Sequence, residues 1–136
     1  MKKAICCVAF TAFIVFSSFL SCVETESYDV KVVNKSVDTI YVYVQVGAQI
    51  KEPYFENLRS YSLHYILPDS SYTQKVSVEE DFFLDHISVI VFKKKTIENY
   101  SIDEIRQKKI MDWGLVYSFE ELDRMGHCIE YTGEAK

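Results

Sequence analysis

Apolar and polar residues alternate with a period of two along much of residues 28–131, the signature of half-buried strands. Tyr28-Asp29-Val30-Lys31-Val32 puts Tyr28, Val30 and Val32 on one face. Thr39 to Val46 does the same, with Ile40, Val42, Val44 and Val46 on one side and Tyr41, Tyr43 and Gln45 on the other. Asn34-Lys35-Ser36-Val37-Asp38 lies between them. Its Asn, Ser and Asp side chains favour a turn because they can bond nearby backbone, so the two strands are expected to pair as a hairpin. Gly47 to Ser60, with Pro53, reads as a loop. Tyr61 to Leu67 predicts a third strand, ended by Pro68-Asp69-Ser70-Ser71. Tyr72 to Val78 predicts a fourth, with Tyr72, Val76 and Val78 inward, and Glu79 to Asp85 a helical turn. Ile87-Ser88-Val89-Ile90-Val91-Phe92 is apolar on both faces, which predicts a central strand covered on both sides.

The last third changes period. Ser101-Ile102-Asp103-Glu104 fits a capping box, in which the serine bonds an orphan helix N–H and the glutamate reaches back. A short helix through Lys109 should follow. Ser118-Phe119-Glu120-Glu121 repeats the signature, and Gly126 can end that helix in the left-handed region. Trp113 to Tyr117 between them is expected to be extended, and His127 to Tyr131 to form a final strand. The expected architecture for residues 28–136 is one mainly β domain: a small antiparallel β-sandwich, immunoglobulin-like or transthyretin-like, with two short helices late in the chain. An open α+β sheet covered by those helices is the alternative.

The N-terminus carries a different pattern. Lys2 and Lys3 precede an apolar run from Ala4 to Phe16, softened by Ser17 and Ser18 and closed by Phe19-Leu20-Ser21-Cys22. This is the three-part layout of a secretory signal. It resembles the bacterial lipoprotein signal, in which a branched apolar residue and a small residue precede a cysteine, the roles Leu20 and Ser21 fill. That resemblance implies that Cys22 takes a diacylglyceryl group, with palmitate-type acylation, and becomes the first residue after removal of 1–21. Residues 22–27 would then be the lipidated cysteine and a short polar spacer, in which Glu24 and Glu26 resemble acidic surface-display signals of Bacteroidota lipoproteins. Two other readings stand beside this one. Ordinary cleavage wants small residues at −3 and −1, and Val15-x-Ser17 is the nearest pair. A permanent membrane helix wants roughly 20 apolar residues, and Ala4 to Leu20 is short for that.

Composition narrows the partners. The leader's two lysines account for part of the 15 basic residues, leaving 13 against 20 acidic ones, a net charge of −7 for residues 22–136. Such a surface repels phosphate backbones, so no nucleic-acid partner is expected. Lys93-Lys94-Lys95 reads as a solvated strand end. Cys6 and Cys7 lie inside the leader and Cys22 at its edge, so Cys128 is unpaired within the domain and no disulfide framework is expected.

Candidate chemistry is sparse. His127-Cys128 is a possible nucleophile pair, but neighbours in a strand point to opposite faces. Glu79-Glu80-Asp81 lacks the alternation and glycine of a calcium loop. His64 and His86 have no zinc-ligand spacing to each other or to Cys128. Glu98, Asp103 and Glu104 contain the makings of a glycosidase carboxylate pair, as many acidic chains do. No catalytic, metal or cofactor site is therefore expected. Tyr41 and Tyr43 share a sheet face and form a candidate recognition surface for a glycan or an envelope protein if that face is open; otherwise they pack against a second sheet or the late helices.

Several short blocks carry a family resemblance: Asn34 to Tyr41, Leu67 to Ser71, Val89 to Phe92, Tyr100 to Ile105, Ser118 to Leu122 and Ile129 to Tyr131. Together they resemble a group of small uncharacterised lipoproteins of Bacteroides-like bacteria (Bacteroidota). The resemblance implies a location, lipid-anchored in the bacterial cell envelope at the outer membrane, and no activity. The expected function is a non-catalytic envelope lipoprotein that binds or supports another molecule. The alternative is a glycan-handling accessory protein or hydrolase using surface tyrosines and carboxylates.

Overall fold

A computed structural model describes residues 25–47, 52–79 and 86–134. Within them the alternating segments become seven strands: β1 (Thr25–Asn34), β2 (Ile40–Gly47), β3 (His64–Ile66), β4 (Ser71–Glu79), β5 (His86–Lys93), β6 (Trp113–Ser118) and β7 (Cys128–Tyr131). Three short helices join them, α1 (Lys94–Asn99), α2 (Ile102–Lys108) and α3 (Phe119–Arg124), with a 3₁₀ turn at Ser60–Ser62. The expected leader 1–21, Cys22 and the helical turn expected after Glu79 lie outside the described residues. Of the residues 22–27 expected to form a spacer, Thr25, Glu26 and Ser27 lie in β1, where they pair with Glu79, Val78 and Ser77. No helix among the described residues is long and apolar enough to cross a membrane.

The strands form two sheets, ordered β4-β1-β7 and β3-β2-β5-β6. Their facing sides supply one core: Val30, Val32, Val76 and Ile129 from the first sheet, with Ile40, Val42, Val44, Ile87, Val89 and Val91 from the second. Full burial of each such side chain contributes about 1.5–3 kcal/mol, which is what holds the layers together. The mainly β sandwich expected from the alternation is what forms, rather than a single open sheet.

β1 and β2 do not pair with each other. β1 pairs with β4 and β7, and β2 with β3 and β5. The expected hairpin is instead a corner between the sheets. Alternation tells which face of a strand is buried, and both strands do bury the expected face, but it does not name the neighbour. Asn34 explains the turn. It is fully buried, its Nδ2 donates to the carbonyls of Asp38 (2.7 Å) and Ile66 (3.0 Å), and its Oδ1 accepts from the Ser36 N–H (3.0 Å) and Oγ (2.6 Å). The second corner, from β3 to β4, lies against the first: Asn34 N–H donates to Ser70 O and Asp69 N–H to Asn34 O, both at 2.9 Å. Asp69 takes the left-handed region there at φ 54°.

This order also excludes the immunoglobulin arrangement, in which the first two strands share a sheet. One pair departs from the antiparallel expectation. β7 runs parallel to β1, with Lys31 opposite Cys128 and Asn34 opposite Tyr131. No tight turn joins these two strands, so nothing local forces them antiparallel. β7 is reached from β6 through α3, whose Leu122 is fully buried in the shared core. Ser118 caps it through the Glu121 N–H, and Gly126 (φ 65°) turns the chain into the other sheet.

A second core covers the outer side of the four-stranded sheet. Tyr43, Ile90 and Phe92 meet Phe55 and Leu58 from the segment after β2, and Ile105 from α2. The central strand β5 is therefore buried on both sides, as its sequence predicts, with every residue from Ile87 to Phe92 at or below 2% exposure. α2 has the expected cap, Ser101 and Glu104 bonding reciprocally, and ends at left-handed Lys109 (φ 50°). α1 was not expected. The lysine run spans the last residue of β5 and the first turn of this helix rather than a plain strand end.

Candidate functional site

The segment that covers Tyr43 also builds the cleft that stands out among the described residues. Buried Phe55 and Leu58 anchor the segment in the second core. Ser88, the lone polar residue of the buried run Ile87 to Phe92, is 2% exposed and accepts the Tyr54 N–H through its Oγ at 3.0 Å. Pro53 lies beside Gly114 of β6, where a Cβ would meet the Met111 sulfur at 2.7 Å and the Pro53 ring at 3.0 Å. A side chain there would have to displace the Met111 tip and press on the Pro53 ring. These fixings hold residues 52–56 opposite α2, and between them opens a cleft of about 520 Å³.

The cleft is lined by Pro53, Tyr54 and Phe55 on one side and by Arg106, Gln107 and Lys109 on the other, with Glu52 and Glu56 among them. Its charges are paired. Lys109 Nζ stands 3.4 Å from Glu52 Oε2, and Arg106 is held 2.7 Å from Asp103. The Tyr54 hydroxyl donates to the Glu56 carboxylate, and that bond to an anion raises the phenol above its ordinary range. The arrangement offers an aromatic ring, a guanidinium, an amide and two carboxylates around apolar walls, the make-up of a small-ligand site.

The predicted recognition surface does not form as an open face. Tyr43 is 2% exposed, and its hydroxyl donates to Gln45 Oε1 at 2.9 Å. Burial, reinforced by Tyr54, pushes its phenol up to about 12. Tyr41 is half-buried beside it and packs on the same second core. The reason is the cover of Phe55, Leu58 and α2, so the reading in which these tyrosines pack against the helices holds.

The other candidates are dispersed. His127 is not in the final strand, which begins at Cys128; it sits in the left-handed region at φ 59°, stacks on Tyr28 at 5.7 Å and contacts Asp123 Oδ1 at 2.7 Å. Its engagement is with Asp123, not with Cys128. His64 stacks on Tyr72 at 4.1 Å, and His86 opens β5. Glu98 pairs with Lys94, Asp103 with Arg106, and Glu104 with the Ser101 cap and Lys108, so these acids are bound up in three separate helix contacts. Glu79 ends β4, whereas Glu80 and Asp81 lie outside the described residues. No group of three His, Cys, Asp or Glu side chains among the described residues is arranged to hold a metal.

Sequence reasoning missed the cleft. Its one local signal is the run Pro53-Tyr54-Phe55, apolar residues in a segment that otherwise reads as loop. No family model, no curated protein and no solved structure matches this chain.

Proposed function

We propose that this chain is a non-catalytic envelope lipoprotein, tethered by an acylated Cys22, that binds a ligand in the cleft between residues 52–56 and α2. The observation that carries the binding role is that cleft: concave, walled by Pro53, Tyr54 and Phe55, and carrying a few polar groups that can orient a ligand. The tether rests on the leader pattern that ends at Leu20-Ser21-Cys22. Each acyl methylene in the bilayer contributes about 0.8 kcal/mol, so two or three chains hold a domain firmly. The resemblance to small Bacteroidota lipoproteins supports the same outer-membrane address.

A glycan is the favoured ligand class, because Tyr54 offers a ring face for a sugar while Glu52, Glu56 and Arg106 offer hydrogen bonds around it. Binding suits these carboxylates better than hydrolysis. Glu52 and Glu56 are both exposed and already engaged, by Lys109 and Tyr54 respectively. The test is calorimetry of the full chain in detergent against a panel of envelope oligosaccharides, with product analysis by mass spectrometry. Saturable binding of an intact sugar, lost in Tyr54→Ala without a change in thermal unfolding, is expected. Cleavage of the sugar, or binding unaffected by Tyr54→Ala, would contradict it.

A further inference from the structure

The two sheets are unequal, and the shortfall lies on one side. The four-stranded sheet ends in β6, whereas the sheet facing it stops at β7. Trp113, Leu115 and Tyr117 share the face of β6 that continues the core face of β5, since they stand opposite Val91, Val89 and Ile87. Yet that face is only partly covered. Leu115 is 37% exposed, and Trp113 and Tyr117 pack on the rim of the core while remaining only half-buried, with Trp113 edge-on to Tyr131 at 5.8 Å. The result is a groove of about 380 Å³ lined by Trp113, Tyr117, Met125, Cys128 and Glu130.

The backbone of β7 borders this groove with its outer edge. Lys31 N–H donates to His127 O and Lys35 N–H to Tyr131 O, so the odd-numbered residues of β7 face β1. A strand residue sends its N–H and C=O to the same side, and Cys128 and Glu130 therefore send theirs away from β1. Among the described residues no strand pairs there. We infer that the outer edge of β7 accepts an extended segment of a partner protein as an added strand, with apolar residues at alternate positions and a lysine or arginine opposite Glu130.

The edge sets the main-chain conformation of the occupant, because an open edge is satisfied by strand addition. The groove sets its pattern: inward side chains cover Trp113, Leu115 and Tyr117, and outward ones lie beside Glu130. Charge sets its sign. Glu120, Glu121, Asp123 and Glu130 are all exposed on α3 and β7, while Arg124 is the one basic residue there and pairs with Glu120 at 3.8 Å. Opposite charges directly across two strands attract, and like charges repel. A second copy would bring the same carboxylates against each other, which disfavours self-pairing.

The single tryptophan of the chain is Trp113, so its fluorescence reads the groove alone. The test titrates the full chain in detergent micelles with a blocked Lys-Val-Lys-Val-Lys-Val peptide, with a Glu-Val hexapeptide as control. A saturable blue shift with the lysine peptide only is expected. Glu130→Lys should weaken binding roughly tenfold, since it turns a cross-strand attraction into repulsion. Glu130→Pro should abolish it while leaving the domain folded, because the lost N–H points away from β1; if that variant unfolds, Glu130→Lys carries the test. No shift with the lysine peptide, equal binding of both peptides, or binding that survives the Glu130 changes would overturn the proposal. A shift produced by raising protein concentration alone would also overturn it, in favour of a second copy.

Discussion

The buried amide of Asn34 sits where two corners of this fold meet. It ties together both corners between the sheets, with every polar atom of its side chain engaged and the residue fully buried. Removing the amide leaves the Ser36 N–H and the Ile66 carbonyl without that partner, and each such loss costs about 1–3 kcal/mol. Asn34→Ala should therefore lower the urea midpoint of unfolding by far more than Lys35→Ala next door, whose side chain is exposed. Equal midpoints would show that the corners hold without the amide. The sequence identifies Asn34 as a turn former but not what it turns toward. The same limit applies to Tyr43, which alternation assigns to the face opposite Val42 and Val44. Whether that face is open depends on Phe55 and Leu58, two anchors in a segment with no period of their own.

At the level of elements, what is local in the structure is also local in the sequence. Both capping boxes form where Ser-x-x-Glu occurs, because the bonds run between residues three apart. The doubly apolar run becomes the doubly buried β5 because both of its faces are apolar, whatever segment covers them. Partners and direction are not local. The β1–β2 corner and the parallel β7 depend on residues far away in the chain, and α1 has no side-chain cap to announce it. The caps carry a pH signature. Glu104 and Glu121 lie below the ordinary glutamate value of 4.5, chiefly because they accept the backbone N–H bonds of Ser101 and Ser118. The folded state thus holds fewer protons than the unfolded one as these groups titrate. Their contribution is complete above the ordinary value and fades as pH falls through the lower folded one. The double variant Glu104→Gln/Glu121→Gln keeps the acceptors and removes the charge, so its thermal midpoint should fall less steeply below pH 4.5. An unchanged acid slope would mean that other carboxylates dominate.

Over the whole molecule, one sheet serves two cores. Its inner side closes the sandwich, and its outer side, covered by residues 52–63 and α2, creates the cleft proposed to hold a ligand. The narrower sheet leaves the groove beside β7. β1 begins at Thr25, three residues after Cys22, so in the proposed arrangement the tether is short and the domain stays close to the bilayer. Both proposed binding surfaces act in that setting, and the measurement that reaches it most directly is intact-mass and N-terminal analysis of the protein extracted from its own membranes. The account predicts a chain that starts at Cys22 and carries the added mass of its acyl chains. A mature N-terminus at any other residue, or an unmodified Cys22, would contradict it.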